Sequence, residues 1–136
     1  MRGPPDRAAA NYMKGEVMSE SKNEIVLNPT KRLLEKGGFS LLFSIRQLKT
    51  VDIALAAKSA GYDSLYVDLE HGALTVPDAG QICVMALAAG VTPFVRVPCE
   101  GADAAQLAMD LGAMGIIFPH ISTPQDAARM VACCKF

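Results

Sequence analysis

Three ionisable residues crowd the end of one apolar run, Leu65-Tyr66-Val67-Asp68-Leu69-Glu70-His71-Gly72. A strand buried in a parallel sheet should be almost continuously apolar. Burying Asp68, Glu70 and His71 without partners would cost desolvation energy. Two placements avoid that cost. One is a cleft at the strand's C-terminal tip, where parallel α/β folds build their sites. The other is a solvated loop opening at Glu70. A second run, Phe94-Val95-Arg96-Val97-Pro98, sets an arginine inside another apolar strand. Arginine is almost never buried unpaired, and its guanidinium forks onto carboxylates. Arg96 therefore pairs with Asp68 or Glu70 across neighbouring strands, or clamps a small carboxylate or a developing enolate. Both can hold together. His71 is of the residue type best suited to moving a proton as general acid or base, although a lone strand-end histidine is more often structural. Arg46 and His120 fall on the same face, and each is read as structural. Asp110 lies late in an apolar helix, where the helix dipole disfavours negative charge. It is either an exposed surface acid or an acid in want of a partner, for which a histidine is one candidate.

The elements that must hold these residues follow a regular pattern. Asn28 caps a short helix over 31–36, with Pro29 at its first position and Gly37-Gly38 as its stop. A strand over 39–45 precedes Arg46, and Thr50 caps an Ala-rich helix over 51–60. The strand over 64–69 is followed by a Thr75-capped helix that runs to Gly90. A strand over 92–97 leads to a helix over 102–111, whose buried face is expected from Ala104, Leu107, Ala108 and Leu111. A strand over 115–118 leads to a helix begun by Thr123-Pro124-Gln125-Asp126, with Ala127, Met130, Val131 and Cys134 as its buried stripe. Four strand–helix units with short connections predict an α/β fold with a parallel sheet and right-handed crossovers. Open doubly wound sheets and (β/α)8 barrels share that pattern. No glycine-rich phosphate loop follows any strand, which weighs against dinucleotide binding.

The composition is that of an ordinary soluble domain: 136 residues, 51% hydrophobic, 20% charged, net charge −1. Near-neutral charge leaves no basic footprint for nucleic acid. No apolar run is long enough to cross a membrane. Cys83, Cys99, Cys133 and Cys134 lack metal-type spacing and read as reduced thiols of a cytoplasmic protein. Residues 1–24 form a polar tail without periodicity, expected to be disordered. Met18 is a plausible native start within it, which would make the first 17 residues an extension. The remaining 25–136 reads as one domain, and it stops after a helix with no closing strand.

Three stretches in order carry a resemblance: 66–72, then Val95-Arg96-Val97-Pro98, then 110–120 with Asp110-Leu111-Gly112 at its start and Pro119-His120 at its end. Together they resemble the HpcH/HpaI aldolases, metal-dependent (class II) pyruvate aldolases, over about residues 28–136. The resemblance implies a (β/α)8 TIM-type barrel, present here as its N-terminal half of about four βα units. It implies reversible aldol cleavage of a 2-oxo-4-hydroxy acid to pyruvate and an aldehyde, in a homo-oligomer. Carried over by position, Arg96 would bind the pyruvate oxygens and steady the enolate, His71 would transfer the proton, and Asp110 would orient that histidine. Asp68, and less firmly Glu70, would stand beside a Mg²⁺ or Mn²⁺ ion whose chief ligands lie on later strands. The rival expectation is a catalytically incomplete half-barrel that serves only as an associating subunit or fragment.

Overall fold

The computed structural model describes residues 28–99 and 101–135. The expectations for the first 24 residues fall outside that range. A short helix, α1 (Pro29–Glu35), precedes four strand–helix units. These are β1 (Leu42–Ile45) and α2 (Ile53–Ser59), β2 (Ser64–Asp68) and α3 (Val76–Ala88), β3 (Thr92–Arg96) and α4 (Ala102–Asp110), and β4 (Gly115–Ile117) and α5 (Pro124–Cys133). The strands form one parallel sheet in the order β1-β2-β3-β4. A doubly wound sheet reverses its strand order at a switch point. This order advances without reversal, as strands do around a (β/α)8 barrel.

Alternation along the strands divides the side chains between two faces. Ile45, Leu65, Val67 and Val95 share a buried core with Ala54 and Ala57 of α2, Ile82 and Ala86 of α3, and Ala105 and Ala108 of α4. Alanine at these helix positions lets the helices approach the sheet closely. The other face carries Tyr66, Asp68, Phe94 and Arg96. At its N-terminal end α1 is tied down by polar contacts. The buried Thr30 hydroxyl lies 2.7 Å from Ser64 Oγ, and its backbone N–H donates to Thr92 Oγ1 at 3.2 Å. Gly115 is required opposite Phe94, because a Cβ there would collide with the Phe94 ring.

The helix starts at Thr75 and Thr123 are as expected, each a reciprocal capping box with the aspartate three residues on. Others differ. Thr50 does not cap α2: its carbonyl accepts from Ile53 N–H in a preceding turn, and the helix begins after Asp52. In α4 the buried face is Ala105 and Ala108, whereas Leu107 is exposed. In α5 only Met130 of the expected stripe is buried; Ala127 and Val131 are exposed. The reason is local. No described strand pairs with β4 on its far side. Along that flank a cavity of about 370 Å³ is lined by Met109, Met114, Ile116, Phe118, Val131 and Cys134, among others. All four cysteines are free thiols, and burial pushes Cys83 up to about 12. Among the described residues no helix is long and apolar enough to cross a membrane.

Candidate active site at the C-terminal ends of the strands

The register of β2 on β3 sets Asp68 directly beside Arg96. Neighbours in one row of a parallel sheet point to the same face, so the pair meets without any loop to arrange it. Arg96 Nε donates to Asp68 Oδ1 at 2.9 Å and Nη2 to Oδ2 at 2.5 Å, a two-pronged fork. The Asp68 side chain is completely buried, and that of Arg96 is 17% exposed. Asp68 Oδ1 also accepts the backbone N–H groups of Glu70 and His71, at 3.0 and 3.1 Å. One carboxylate therefore anchors the guanidinium and folds the chain that follows β2 back over the strand tip. The Tyr66 ring lies beneath the guanidinium, its centroid 5.5 Å away.

Glu70 extends the network. Its Oε2 is 3.0 Å from Arg96 Nη1 and its Oε1 is 3.0 Å from His120 Nε2. Its side chain is only 8% exposed, and Oε2 is a buried atom with no aligned hydrogen-bond donor. Arg46, continuing the β1 row, places Nε 3.3 Å from Asp68 Oδ2. His71 is largely exposed, with Nε2 3.7 Å from Glu70 Oε2. Asp68, Glu70, His71, Arg96, Arg46 and His120 thus stand together at one end of the sheet. Asp110 does not join them. It is the exposed last residue of α4, which leads into the N-terminal end of β4, so it lies at the opposite end of the sheet from His71. Within this chain the expected Asp110–His71 pairing is not made.

Two residues read as structural from sequence, Arg46 and His120, reach the cluster. Their position after a strand was the signal for both, and His120 also ends one of the three family-like stretches. Tyr66 and Gly72 were not singled out individually. Tyr66 alternates with Asp68, which already put it on the site's face. Gly72 had no signal beyond its residue type.

Burial alone would raise the Asp68 pKa, but the Arg96 hydrogen bonds and the two backbone N–H groups outweigh it. The carboxyl falls to about 2 from the usual 3.8. A carboxyl lowered on folding stabilises the fold fully above its unfolded value and loses that contribution as pH falls towards the folded one. Between pH 6 and pH 2 Asp68 is therefore expected to account for roughly 2 kcal/mol of lost stability. Urea unfolding across that range should show the loss, and Asp68→Asn should flatten the curve. Asp78, lowered by the Thr75 hydroxyl in its capping box, titrates in the same range. An unaltered slope in Asp68→Asn would assign the linkage to such caps instead.

A hard divalent cation needs several oxygen ligands with uncommitted lone pairs. Asp68 spends both oxygens on Arg96 and two backbone N–H groups, and Glu70 is held between Arg96 and His120. Among the described residues no group of three or more His, Cys, Asp or Glu could hold a metal. These residues do not fit a metal by themselves; within the described residues Asp68 and Glu70 are committed to arginine pairing.

The family model for HpcH/HpaI aldolase/citrate lyase matches residues 40–136. This chain belongs to that family. Among curated relatives, the 4-hydroxy-4-methyl-2-oxoglutarate aldolase tasA of Hapsidospora irregularis is 47% identical over 93 residues, 68% of this chain and 34% of its own length. The corresponding aldolase cghB of Chaetomium globosum is 44% identical over 93 residues, 68% of this chain and 35% of its own. The chain spans about a third of the length of these relatives. Among solved structures, the HpcH/HpaI aldolase from Desulfitobacterium hafniense DCB-2 superposes with a TM-score of 0.74 at 27% identity, covering 78% of this chain and 41% of that one.

Proposed function

We propose that this chain supplies the enolate-binding half of a pyruvate aldolase site, for reversible cleavage of a 4-hydroxy-2-oxo acid. The supporting observation is the fixed Arg96 guanidinium at the strand tips, with Glu70 between it and the His71 ring. In the cleavage direction a base removes the proton of the C4 hydroxyl and the C3–C4 bond breaks. The bond's electron pair becomes the pyruvate enolate, and a proton returned to C3 gives pyruvate. Arg96 faces the growing negative charge on the C2 oxygen. A guanidinium has five N–H donors, and the fork to Asp68 leaves N–H groups on Nη1 and Nη2. Held rigidly by Asp68 and Glu70, these need no reorganisation as charge develops. His71 carries the proton: its exposed ring lies near Glu70, while its backbone is fixed by Asp68. The fungal relatives' names support the substrate class, and a 4-methyl group would make the departing carbonyl fragment a ketone rather than an aldehyde.

The reading includes a divalent metal, Mg²⁺ or Mn²⁺, on residues other than those described, in a cytoplasmic homo-oligomer. The metal would supply Lewis-acid polarisation of the oxo acid. The second reading, an associating half-barrel without its own activity, is favoured by the apolar flank of β4.

Exchange of the pyruvate methyl protons with D₂O decides between them, because it needs no carbonyl partner. The expected result is exchange that chelator abolishes, with His71→Gln slowed about 10²–10⁴-fold. Absence of exchange in folded, metal-supplemented protein would leave the associating half-barrel.

A further inference from the structure

His120 is the one described non-glycine residue with a positive φ, 56°. A side chain in the left-handed region is uncommon, and glycine or asparagine would sit there with less strain. Such strain persists only where the surrounding structure imposes it, and it clusters at functional sites. Here the conformation turns the imidazole back over the sheet, so that Nε2 meets Glu70 Oε1 at 3.0 Å. The other oxygen of that carboxylate faces Arg96 Nη1 at 3.0 Å, with no aligned donor of its own. Glu70 is thus restrained on one side by a ring nitrogen and leans on the guanidinium with the other. Asp68 grips Arg96 through Nε and Nη2 only, leaving Nη1 to Glu70. His120 also lines a cavity of about 200 Å³, together with Phe118, Pro119, Ile121, Met130 and others.

We infer that His120 is a positioning residue for Arg96, acting through Glu70, and that the backbone strain at residue 120 is what delivers its ring. The turn after β4 is shaped for the site, not for the fold. The activity readout rests on the enolisation reading above, but the structural one does not.

The test is a set of substitutions in the intact protein. His120→Gly and His120→Asn relieve the backbone, and neither reaches Glu70. The expected result is an unfolding midpoint equal to or above that of the parent. The Arg96 side-chain N–H resonances, assigned in ¹⁵N spectra by their loss in Arg96→Lys, should shift and broaden. The rate of pyruvate proton exchange should fall about tenfold, mostly in kcat. His120→Gln, whose amide reaches further, should restore the resonances and part of the rate, although it gains no backbone relief. Arg96 resonances unchanged in both Gly and Asn variants would overturn the inference, whatever the activity. So would a midpoint that drops in both variants with Gln giving no rescue, since His120 would then be a fold residue. If the parent shows no exchange, the enolisation reading fails, and the Arg96 resonances still decide the role of His120.

Discussion

Arg96→Ala is expected to lower folding stability by about 3–5 kcal/mol, because breaking a buried ion pair from one side leaves an uncompensated charge. The Asp68 side chain is completely buried, and Glu70 is 8% exposed. Water cannot replace the guanidinium at either without opening the strand tips. The size of the loss reflects the stranded carboxylates more than the worth of the pair. Arg96→Ala combined with Asp68→Asn should therefore recover part of it, because the neutral amide no longer has to be buried as an anion. Urea midpoints of the parent, the two single variants and the double variant form the cycle. Equal stability of Arg96→Ala and the double variant would show that Asp68 is already hydrated in the single variant. Arg96→Lys keeps the charge and should lose less stability than Arg96→Ala. A lysine ammonium cannot reproduce the fork on Asp68 while facing Glu70, so Arg96→Lys should lose most of the exchange activity.

Gly72→Ala should have the second large effect, although the residue carries no functional group and is exposed. An added Cβ would collide with the Arg46 carbonyl oxygen and lie 2.7 Å from that of Asp68. Both obstacles are backbone, so no rotamer change relieves them. The Arg46 carbonyl is also fixed from the other side by Ala73 N–H, which donates to it at 2.9 Å. The only escape is to move the segment that carries Glu70 and His71 away from β1. Overpacking of this kind costs about 1–3 kcal/mol. Displacing a catalytic group by an ångström can cost on the order of 10²-fold in rate. Thermal unfolding and pyruvate proton exchange measured together check both effects. A variant with the parent's rate and midpoint would mean that the loop moves freely, and rigid presentation of His71 would no longer explain the site.

Much of this site was readable because its residues violate their local surroundings. Asp68 and Arg96 are charged residues in apolar strands, and burial forces such residues to find each other. The four strand–helix units with short connections made the α/β pattern legible as well. The sequence also left two choices open. It could not say whether Arg96 would take Asp68 or Glu70, and the structure shows both, because the register sets Asp68 in its row while the chain beyond β2 folds Glu70 back over it. It could not separate a doubly wound sheet from a barrel by pattern alone, since that depends on which strands become neighbours.

The misplacements have the same origin. Asp110 was expected beside His71, but a helix that returns along the sheet delivers its C-terminus to the far end of the strands. The stripe of α5 was expected to be buried, yet helical periodicity says only which side chains share a face, not whether anything covers it. His120 and Arg46 looked ordinary because nothing local marks them; one is made significant by a backbone turn and the other by its row in the sheet. By itself, the sequence determined the family, through three linked motifs, and the order of the elements and the charges that had to find partners, because periodicity and the cost of burying charge act on residue types. The tertiary structure alone decided which charge meets which, which end of the sheet each residue reaches, and which faces are covered, because these depend on register and chain direction.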